Sequence, residues 1–487
     1  MPSLKTILKV IGASFAGLVL ALAILFYYGS SDHTKGYHLN LSIDELPGAI
    51  EAGFAKQLIT PTQLDNTWLA GFSNNRKATG IHDPLWARVS VLRLGSTTIA
   101  IVALDAIGLM YDDVIEIRQL ASKTLGLDYI LISTTHTHQS PDTIGIWGED
   151  VGLSGVDTAY LTYLKTQTVA AIKQALTRLE PVNIRHFEEP NLARSLVEDT
   201  RKPINTDHSL KTLVFYSKNT NAVLGSIVSW ANHPEVLWSK NTLITADFVH
   251  YVRDGIENGV EVQGNRVPGL GGISLYINGA VGGLMTTSPK FSVRSLKTGE
   301  VLTGATYEKA EAVGHTLAYL ALQKIHKTYG TLISESSLSL RVKTIYLPLK
   351  NLNFRLAMIA GVINRGLSGW ARKVKTEIAY IELGPISILT IPGEIYPEIV
   401  NGGIVAPDGQ DFQIEPQEVP AIRHLMAGKH SYVFGLSNDF IGYIIPKSQW
   451  DAEPPYTFQE KPYGEINSLG PNTAPIIYKE VKQLITN

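Results

Sequence analysis

Two histidines spaced two residues apart are the first side chains in this sequence that could carry out chemistry. His136 and His138 lie in THTHQS, directly after the apolar run DYILIST. On an extended chain, this spacing places both rings on the same side. Such a pair is compatible with an ordinary surface feature. Its place at the end of a buried-looking strand favours a metal site, or a ligand beside a proton carrier, because ligands collect at the carboxyl ends of strands in α/β sheets.

Two more potential ligands follow apolar strands in the same way. His233 lies in SWANHPEV, and Glu394 lies in TIPGEIYPE. Each also has a plainer interpretation, since a histidine before proline can belong to a turn and Pro-Gly-Glu can simply end a strand. Together with His136, they provide two imidazoles and one carboxylate. That is the ligand count of a catalytic zinc that keeps one position open for water.

Asp105 ends the strand that precedes the His136 strand in the chain. A carboxylate at a neighbouring strand end can hydrogen-bond a ligating imidazole and fix its orientation. The alternative is that Asp105 only caps its own strand.

The elements that must position these residues are predicted from hydrophobic patterns. Residues 86–94 and 97–105 form a hairpin around Gly95-Ser96, and residues 112–125 form a helix that stops at Gly126. With the strand 128–134, they predict a right-handed crossover between parallel strands. Further predictions are a helix at 159–179, a strand pair at 210–216 and 222–230, and a hairpin at 378–383 and 386–391. The sequence thus predicts one α/β domain of mixed β-sheets flanked by helices.

Composition excludes several classes of protein. The chain has 487 residues, a formal net charge of -2 and no cysteine. The charge argues against a nucleic-acid-binding protein, which needs a basic excess. Without cysteine, the fold has no disulfides, and any metal must be held by histidine, carboxylate, tyrosine or water.

The N-terminal region predicts a membrane-spanning helix. Residues 10–28 carry no charge, and Lys5 and Lys9 precede them. That length crosses a bilayer as a helix, and the lysines predict that the N-terminus stays in the cytoplasm. A cleaved signal peptide is the alternative, although the residues after Tyr28 offer only a weak cleavage site. We therefore expect residues 1–30 to be an anchor or signal segment, 31–40 a spacer, and 41–487 a domain outside the cytoplasm.

Residues 351–375 interleave apolar residues with basic ones, including Arg365 and Arg372. Two interpretations remain open. The segment could lie on a membrane surface beside the anchor, or it could be an ordinary surface helix with a solvated basic face.

A group of motifs resembles the neutral, non-lysosomal ceramidases. The motifs are THTHQSPD, ANHP followed by TADF, PGE, SNDFIGYIIP and YGEINSLGP, and their order agrees with that family from about Ala70 to Thr473. The resemblance implies a neutral-ceramidase-like catalytic domain, here preceded by one N-terminal transmembrane helix. It covers the catalytic N-terminal domain only, since ceramidases continue into a further β-sandwich domain.

The resemblance also implies roles for individual residues. The expected zinc ligands are His136, His233, Glu394 and Tyr443. His138 is expected beside the substrate, and Tyr463 matches a second active-site tyrosine. Asp247 in TADF matches an acidic position near the second histidine, where its alternative role is to cap the following helix.

One segment departs from the family pattern. Where the family has a serine proposed as nucleophile, this chain has Gly279-Ala280-Val281-Gly282-Gly283, with Gly282 at the serine position. Ser288 follows in TTSPK, and the nucleophile elbow G-x-S-x-G is absent from the sequence. We expect Gly279, Gly282 and Gly283 to bring backbone N–H groups close to the substrate, although glycines can equally serve a tight turn.

These observations predict a zinc-dependent hydrolase of an amide bond in a ceramide-like N-acyl lipid, or of an ester, that uses metal-activated water. His138 would carry a proton, and Tyr443 and Tyr463 would bind the oxyanion. Two alternatives remain: a catalytically inactive, membrane-anchored lipid-binding protein of the same fold, and an acyltransferase in which an amine or alcohol replaces water.

The charge pattern at the N-terminus gives a testable topology. Reporters fused after Asn40 should be active if they require export, because Lys5 and Lys9 keep the preceding end in the cytoplasm. The measurement is the activity of paired exported and cytoplasmic reporters. Activity of the cytoplasmic reporter at this position would contradict the assignment.

Overall fold

The computed structural model describes residues 3–407 and 414–486. The α-helices in these residues are α1 Leu4–Gly29, α2 Tyr111–Leu125, α3 Thr158–Leu176, α4 Phe248–Asn258, α5 Tyr307–Lys327, α6 Leu352–Ile359, α7 Pro397–Asn401, α8 Ile422–Leu425 and α9 Thr473–Thr486.

The strands of the first half of the chain are β1 Asn40–Leu58, β2 Gly80–Ile81, β3 Trp86–Leu94, β4 Thr97–Leu104, β5 Tyr129–Thr134, β6 Glu180–Glu189, β7 Glu198–Asp199, β8 Leu210–Ser217, β9 Val223–Trp230 and β10 Leu243–Ile244. Those of the second half are β11 Gly259–Val262, β12 Asn265–Pro268, β13 Ile273–Asn278, β14 Met285–Thr286, β15 Val293–Arg294, β16 Val301–Leu302, β17 Thr331–Ile333, β18 Glu335–Pro348, β19 Lys373–Leu383, β20 Ile386–Thr390, β21 Glu394–Ile395, β22 His430–Phe434 and β23 Tyr443–Ile444.

One large mixed sheet organises the domain. Its main path is β13-β9-β8-β6-β1-β18-β19-β20-β22, and β3, β4 and β5 branch from β1. The predicted hairpins β3-β4 and β19-β20 are antiparallel, and β4 pairs with β5 in parallel, as expected for the crossover through α2. The predicted α/β fold of mixed sheets flanked by helices is confirmed.

The long strand β1 joins the parts of the sheet. Its first half pairs with β18, and its second half pairs with β3. The register shifts between Glu45 and Gly48, where Pro47 interrupts the pairing. The sequence patterns did not predict this strand, because proline and two glycines within it are typical of loops.

Three large apolar cores separate the layers in the part of the chain that the structure describes. The central core is lined by strands of every part of the large sheet. A second core packs β3, β4, β5, β9 and β13 against α2 to α5, and a third packs β18, β19, β20 and β22 against α6 to α9. The strand ends between these layers of helices carry the candidate site.

Helix α1 stands apart from these cores. The span Leu4–Ala21 is long and apolar enough to cross a membrane, with a mean hydropathy of 1.7, and none of it is buried against the described residues. A membrane anchor and a signal sequence both have these properties.

The basic segment 351–375 is not one continuous surface helix, and two of its basic side chains are not solvated. Only α6 is helical, and Arg365 and Lys375 are buried rather than solvated. Arg365 makes a two-pronged ion pair with Asp439, with nitrogen–oxygen distances of 2.6 and 2.5 Å. The same carboxylate accepts the backbone N–H of Tyr111 at 3.0 Å. The buried Arg365 side chain therefore ties this segment to the start of α2 and contributes no charge to its surface.

We expect Arg365→Leu to lower the free energy of unfolding by about 3–5 kcal/mol, because it leaves the buried Asp439 carboxylate without its cation. Arg372→Leu is the matched control, since the Arg372 side chain is exposed, and should change stability by less than about 0.5 kcal/mol. Urea unfolding of the detergent-solubilised protein measures both. Equal effects of the two substitutions would contradict the structural role of the pair.

Candidate functional site

The predicted site residues meet where the strands β5, β9 and β20 end. His136 follows β5, His233 follows β9, and Glu394 follows β20 and begins the short strand β21. The buried side chain of Asn278, at the end of β13, links the two histidine loops. Its amide nitrogen donates to Thr135 O at 3.1 Å and to Asn232 O at 2.9 Å.

The His136 imidazole is oriented by the backbone. Its Nδ1 lies 2.6 Å from Ile107 O, so Nδ1–H donates and Nε2 is left as a lone-pair donor. The residue is buried and has a φ of 68°, a backbone conformation that histidine rarely adopts. Such strain concentrates at functional sites.

His233 is held in the same manner from another loop. Its Nδ1 lies 2.6 Å from Met285 O, and its Nε2 lies 3.0 Å from Glu394 Oε2. Burial has the largest single effect and lowers the pKa of His233, but the hydrogen bond to Glu394, the Glu235 and Glu394 charges and the bond to Met285 O together outweigh it and raise the pKa to about 9. Burial likewise raises the pKa of Glu394, and the two imidazoles hold it well below its usual range.

The donor set fits a zinc ion. Glu394 Oε2 lies 3.0 Å from His233 Nε2 and 3.7 Å from His136 Nε2. Ligand atoms around a tetrahedral zinc, each about 2.0–2.1 Å from the metal, are separated by about 3.4 Å. Both Nδ1 atoms are occupied by carbonyl oxygens, so both Nε2 atoms are available as ligands. His136, His138 and His233 also present ring nitrogens that lie within 4.8 Å of one another.

The His138 ring lies beside the candidate ligands His136 and His233. Within residues 3–407 and 414–486, neither ring nitrogen has a hydrogen-bond partner of good geometry, although Nδ1 lies 3.1 Å from Glu235 Oε2. Burial lowers the pKa of His138 to about 4, against the opposing effect of Glu235. A Cβ at Gly71 would lie 2.6 Å from His138 Nδ1, so a glycine is required for this ring position.

Glu235 is a site residue that the sequence analysis missed. It is buried, lies beside His138, and follows His233 by two residues in ANHPEV. His233 and Glu235 have the same i, i+2 spacing as His136 and His138, so the spacing could have identified Glu235 from the sequence.

The two tyrosines lie at the same site with different exposure. Tyr443 is buried and pairs in register with Glu394, because β21 and β23 run in parallel. Burial and the Glu394 carboxylate raise the pKa of Tyr443. Tyr463 is partly exposed, its ring centroid lies 5.9 Å from that of Tyr443, and burial of its hydroxyl raises its pKa to about 12. Both hydroxyls therefore stay protonated and can donate hydrogen bonds near neutral pH.

Asp105 does not orient an imidazole, contrary to expectation. Its carboxylate pairs with Arg253 at 2.7 and 2.9 Å and accepts the Trp86 N–H at 2.8 Å. Ile107 O and Met285 O orient the rings instead, because each accepts the Nδ1–H of one imidazole.

Asp247 follows its alternative interpretation and caps α4. Its carboxylate accepts the N–H of Phe248 at 2.7 Å and of Leu237 at 3.1 Å, and burial raises its pKa to about 7. The second bond fixes the turn that follows Glu235.

Two of the three glycine N–H groups, those of Gly279 and Gly282, do not face a substrate as expected. Gly279 N donates to Trp230 O at 3.3 Å, and Gly282 N donates to Ile395 O at 2.9 Å. A Cβ at Gly282 would lie 2.6 Å from the backbone of Ile395 and Tyr396. Gly283 has a φ of 76°. The glycines instead allow the loop to pack directly against β21, which begins with Glu394.

Two adjoining cavities meet at the candidate ligands. One, of about 280 Å³, is lined by His136, His138, Glu394, Tyr443 and Tyr463 together with apolar side chains of Phe72, Ile107, Ile146, Trp147, Phe354 and Phe440. The other, of about 310 Å³, lies on the His233 and Glu235 side and includes Ser288. The Ser288 hydroxyl donates to Glu198. A largely apolar cleft with a few polar groups at its base suits an amphipathic substrate.

A second group of potential ligands lies elsewhere in the sheet. His186, Glu188 and His430 have donor atoms within 4.8 Å of one another. His186 Nδ1 lies 2.7 Å from the Tyr432 hydroxyl, and the Lys211 ammonium lies 3.7 Å from Glu188. The tyrosine hydroxyl occupies one nitrogen of His186, and a nearby ammonium repels a metal cation. The His136 cluster is the better metal site.

Comparisons with known proteins agree with this architecture. Residues 51–283 match the family model described as neutral/alkaline non-lysosomal ceramidase, N-terminal. A search of curated proteins gave no match. Among solved structures, the neutral ceramidase from Pseudomonas aeruginosa superposes with a TM-score of 0.67 at 16% identity, covering 90% of this chain and 74% of that one.

A second solved structure, a ceramidase complexed with C2, gives a TM-score of 0.66 at 15% identity and covers 90% of this chain and 75% of that one. The matched residues 51–283 include His136, His138, His233 and the glycine loop, and the structural similarity extends over most of the chain. The resemblance of this chain to the neutral/alkaline non-lysosomal ceramidases, predicted from its motifs, is thereby confirmed.

Proposed function

We propose that this chain is a membrane-anchored, zinc-dependent hydrolase that cleaves the amide bond of a ceramide-like N-acyl lipid, or an ester, outside the cytoplasm. The observation that carries the proposal is the convergence of His136 Nε2, His233 Nε2 and the Glu394 carboxylate, with both Nδ1 atoms held by backbone carbonyls. The family match and the fold support a hydrolase.

His136, His233 and Glu394 would hold the zinc, with Tyr443 as a fourth ligand. When bound there, zinc supplies the Lewis acidity that activates water for attack on a carbonyl carbon near neutral pH. Two imidazoles and one carboxylate are the ligand set of catalytic rather than structural zinc sites, and a five-coordinate zinc would accommodate a water beside Tyr443.

The surrounding side chains would transfer a proton to the leaving group and stabilise the oxyanion. His138, whose ring nitrogens face the site without a hydrogen bond of good geometry in the described residues, would carry a proton to the leaving amine or alkoxide. Tyr443 and Tyr463 would donate hydrogen bonds to the oxyanion. Asn278 acts as a positioning residue, because it holds the two histidine loops together.

The substrate class follows from the cavity. Apolar side chains such as Phe72, Trp147 and Phe354 would bind an acyl chain and exclude water, while the polar groups at the base reach the scissile bond. In this proposal, residues 1–30 anchor the protein, residues 31–40 link the anchor to the domain, and residues 41–487 form the hydrolase domain.

His136→Ala or His233→Ala should remove most of the bound zinc and nearly all turnover, because each deletes a direct ligand. His186→Ala is the matched control, since His186 belongs to the other histidine group, and should retain zinc. Tyr443→Phe should keep more of the metal and slow the reaction by about a hundredfold, as is typical for loss of one oxyanion donor. Metal analysis and amide and ester hydrolysis assays with and without an acyl acceptor measure these effects.

Ser288→Ala should leave activity largely intact. Full activity of the metal-free protein, or an acyl adduct on Ser288, would overturn the zinc mechanism. Tight lipid binding with no turnover in the zinc-loaded protein would favour the inactive lipid-binding alternative, and acyl transfer in preference to hydrolysis would favour the acyltransferase.

Gly282→Ser should destabilise the protein by about 1–3 kcal/mol instead of creating a serine enzyme, because the new side chain overlaps the backbone of β21. Gly48→Ser is the matched control, since a Cβ at Gly48 meets nothing closer than 3.8 Å. Thermal unfolding and activity assays compare the two. Increased hydrolysis in the Gly282 variant, with an acyl group on the new serine, would show that the loop can take the family's serine.

A further inference from the structure

The segment between α1 and β1 is bound to the domain along its length. The buried Lys375 ammonium donates to both carboxylate oxygens of Asp32 at 3.0 Å and to Thr34 O at 2.8 Å. Leu367 N donates to Ser31 O at 2.8 Å, and His33 Nδ1 lies 3.2 Å from Asp112 Oδ2. The expected spacer is therefore a fixed connection, and it sets how the domain is oriented relative to α1.

The C-terminal end of α1 meets α6. A Cβ at Gly29 would lie 2.7 Å from the Ile359 backbone carbon, so the two helices touch through their main chains. Any bilayer that α1 crosses must consequently lie close to α6 and to the segment that follows it.

Exposed apolar side chains cluster around this junction. On α6, Leu352 and Leu356 are 53% and 54% exposed, and Ile466 is 54% exposed in a loop whose carbonyl accepts the Asn351 side chain at 2.8 Å. Trp370 is 89% exposed. We call these four residues, Leu352, Leu356, Ile466 and Trp370, the anchor-side face.

Trp370 has a particular setting within this face. It lies at the tip of a turn closed by Ser368 and Lys373, directly after Leu367, which contacts the α1 connection. Its φ of 59° is a strained value for a bulky residue. The indole is exposed beside the exposed Arg372 and Lys373, and this combination of tryptophan with basic residues is typical of membrane interfaces.

The same elements border the candidate site. Phe354 of α6 lines the cavity that contains His136 and Glu394, and Tyr463, near Ile466, lines it as well. Helix α6 therefore has the cavity on one side and the anchor-side face on the other.

We propose that the anchor-side face rests on the bilayer crossed by α1, so that a lipid substrate passes from the membrane along α6 into the candidate site. This inference rests on the proposed function, in that it assumes α1 to be an anchor and the cavity to be the active site. We favour a bilayer over a protein partner at this face, because α1 ends against α6 and the membrane that α1 crosses therefore lies next to the face.

The absence of cysteine from the chain allows a direct test on the full-length protein. Leu356→Cys and Trp370→Cys, each labelled with an environment-sensitive fluorophore, are compared with Tyr329→Cys, which is 88% exposed on the connection after α5. In phosphatidylcholine nanodiscs, the first two labels should shift to the blue and be quenched by nitroxide-labelled lipids, whereas the label at 329 should do neither. Labels at 356 and 370 that behave like the one at 329 would overturn the proposal.

A functional comparison separates this inference from the proposed function. Leu356→Glu combined with Trp370→Glu should lower hydrolysis of a long-chain fluorogenic ceramide analogue in vesicles by at least about tenfold, because charges replace the side chains that enter the interface. Hydrolysis of a water-soluble short-chain amide should be unchanged, and Tyr329→Glu should affect neither substrate. Equal losses on both substrates would overturn the membrane role. No turnover of either substrate by the unmodified protein would instead overturn the proposed function, while the fluorescence test would still decide the orientation.

Discussion

The site depends on two hydrogen bonds from imidazole Nδ1 atoms to backbone carbonyls. Ile107 O holds His136 and Met285 O holds His233, each at 2.6 Å. These bonds occupy both Nδ1 atoms and leave both Nε2 atoms facing the Glu394 carboxylate, so that a cation bound between them would be held by Nε2 of each ring. Carbonyls are well suited to this role, because they belong to the main chain and carry no side-chain entropy.

Irregular loops after the strands must be held in place for these bonds to form, and buried ion pairs hold them. Asp105 and Arg253 fix the end of β4, Arg365 and Asp439 fix the segment before Tyr443, and Arg201 and Glu465 fix the loop of Tyr463. Each pair also accepts or donates backbone hydrogen bonds, so that its charges are satisfied away from water. Charged residues that the sequence suggested for catalysis or for membrane contact thus stabilise the frame around the site.

The packing of the glycine loop affects the position of the Glu394 carboxylate. Gly282 packs against β21, and its N–H binds Ile395 O, one residue after Glu394. The absence of a side chain at this position permits the close approach that places the carboxylate next to both histidines. A cluster of two imidazoles and a carboxylate is therefore compatible with glycine at the family's serine position, and the connection of α1 to the domain places the cavity beside the bilayer that we propose α1 crosses.

The sequence by itself determined the α/β class, most of the elements that lead to the site and the apolar N-terminal helix, because these follow from local hydrophobic patterns and from motifs with fixed spacing. It also identified His136, His233, Glu394 and Tyr443, which the fold brings together. Only the tertiary structure decided the partners of Asp105 and Arg365, the contact of Glu235 with His138, and the direction of the glycine N–H groups. Those outcomes depend on contacts between residues far apart in the chain, whose charges and backbone groups pair according to which elements the fold places side by side.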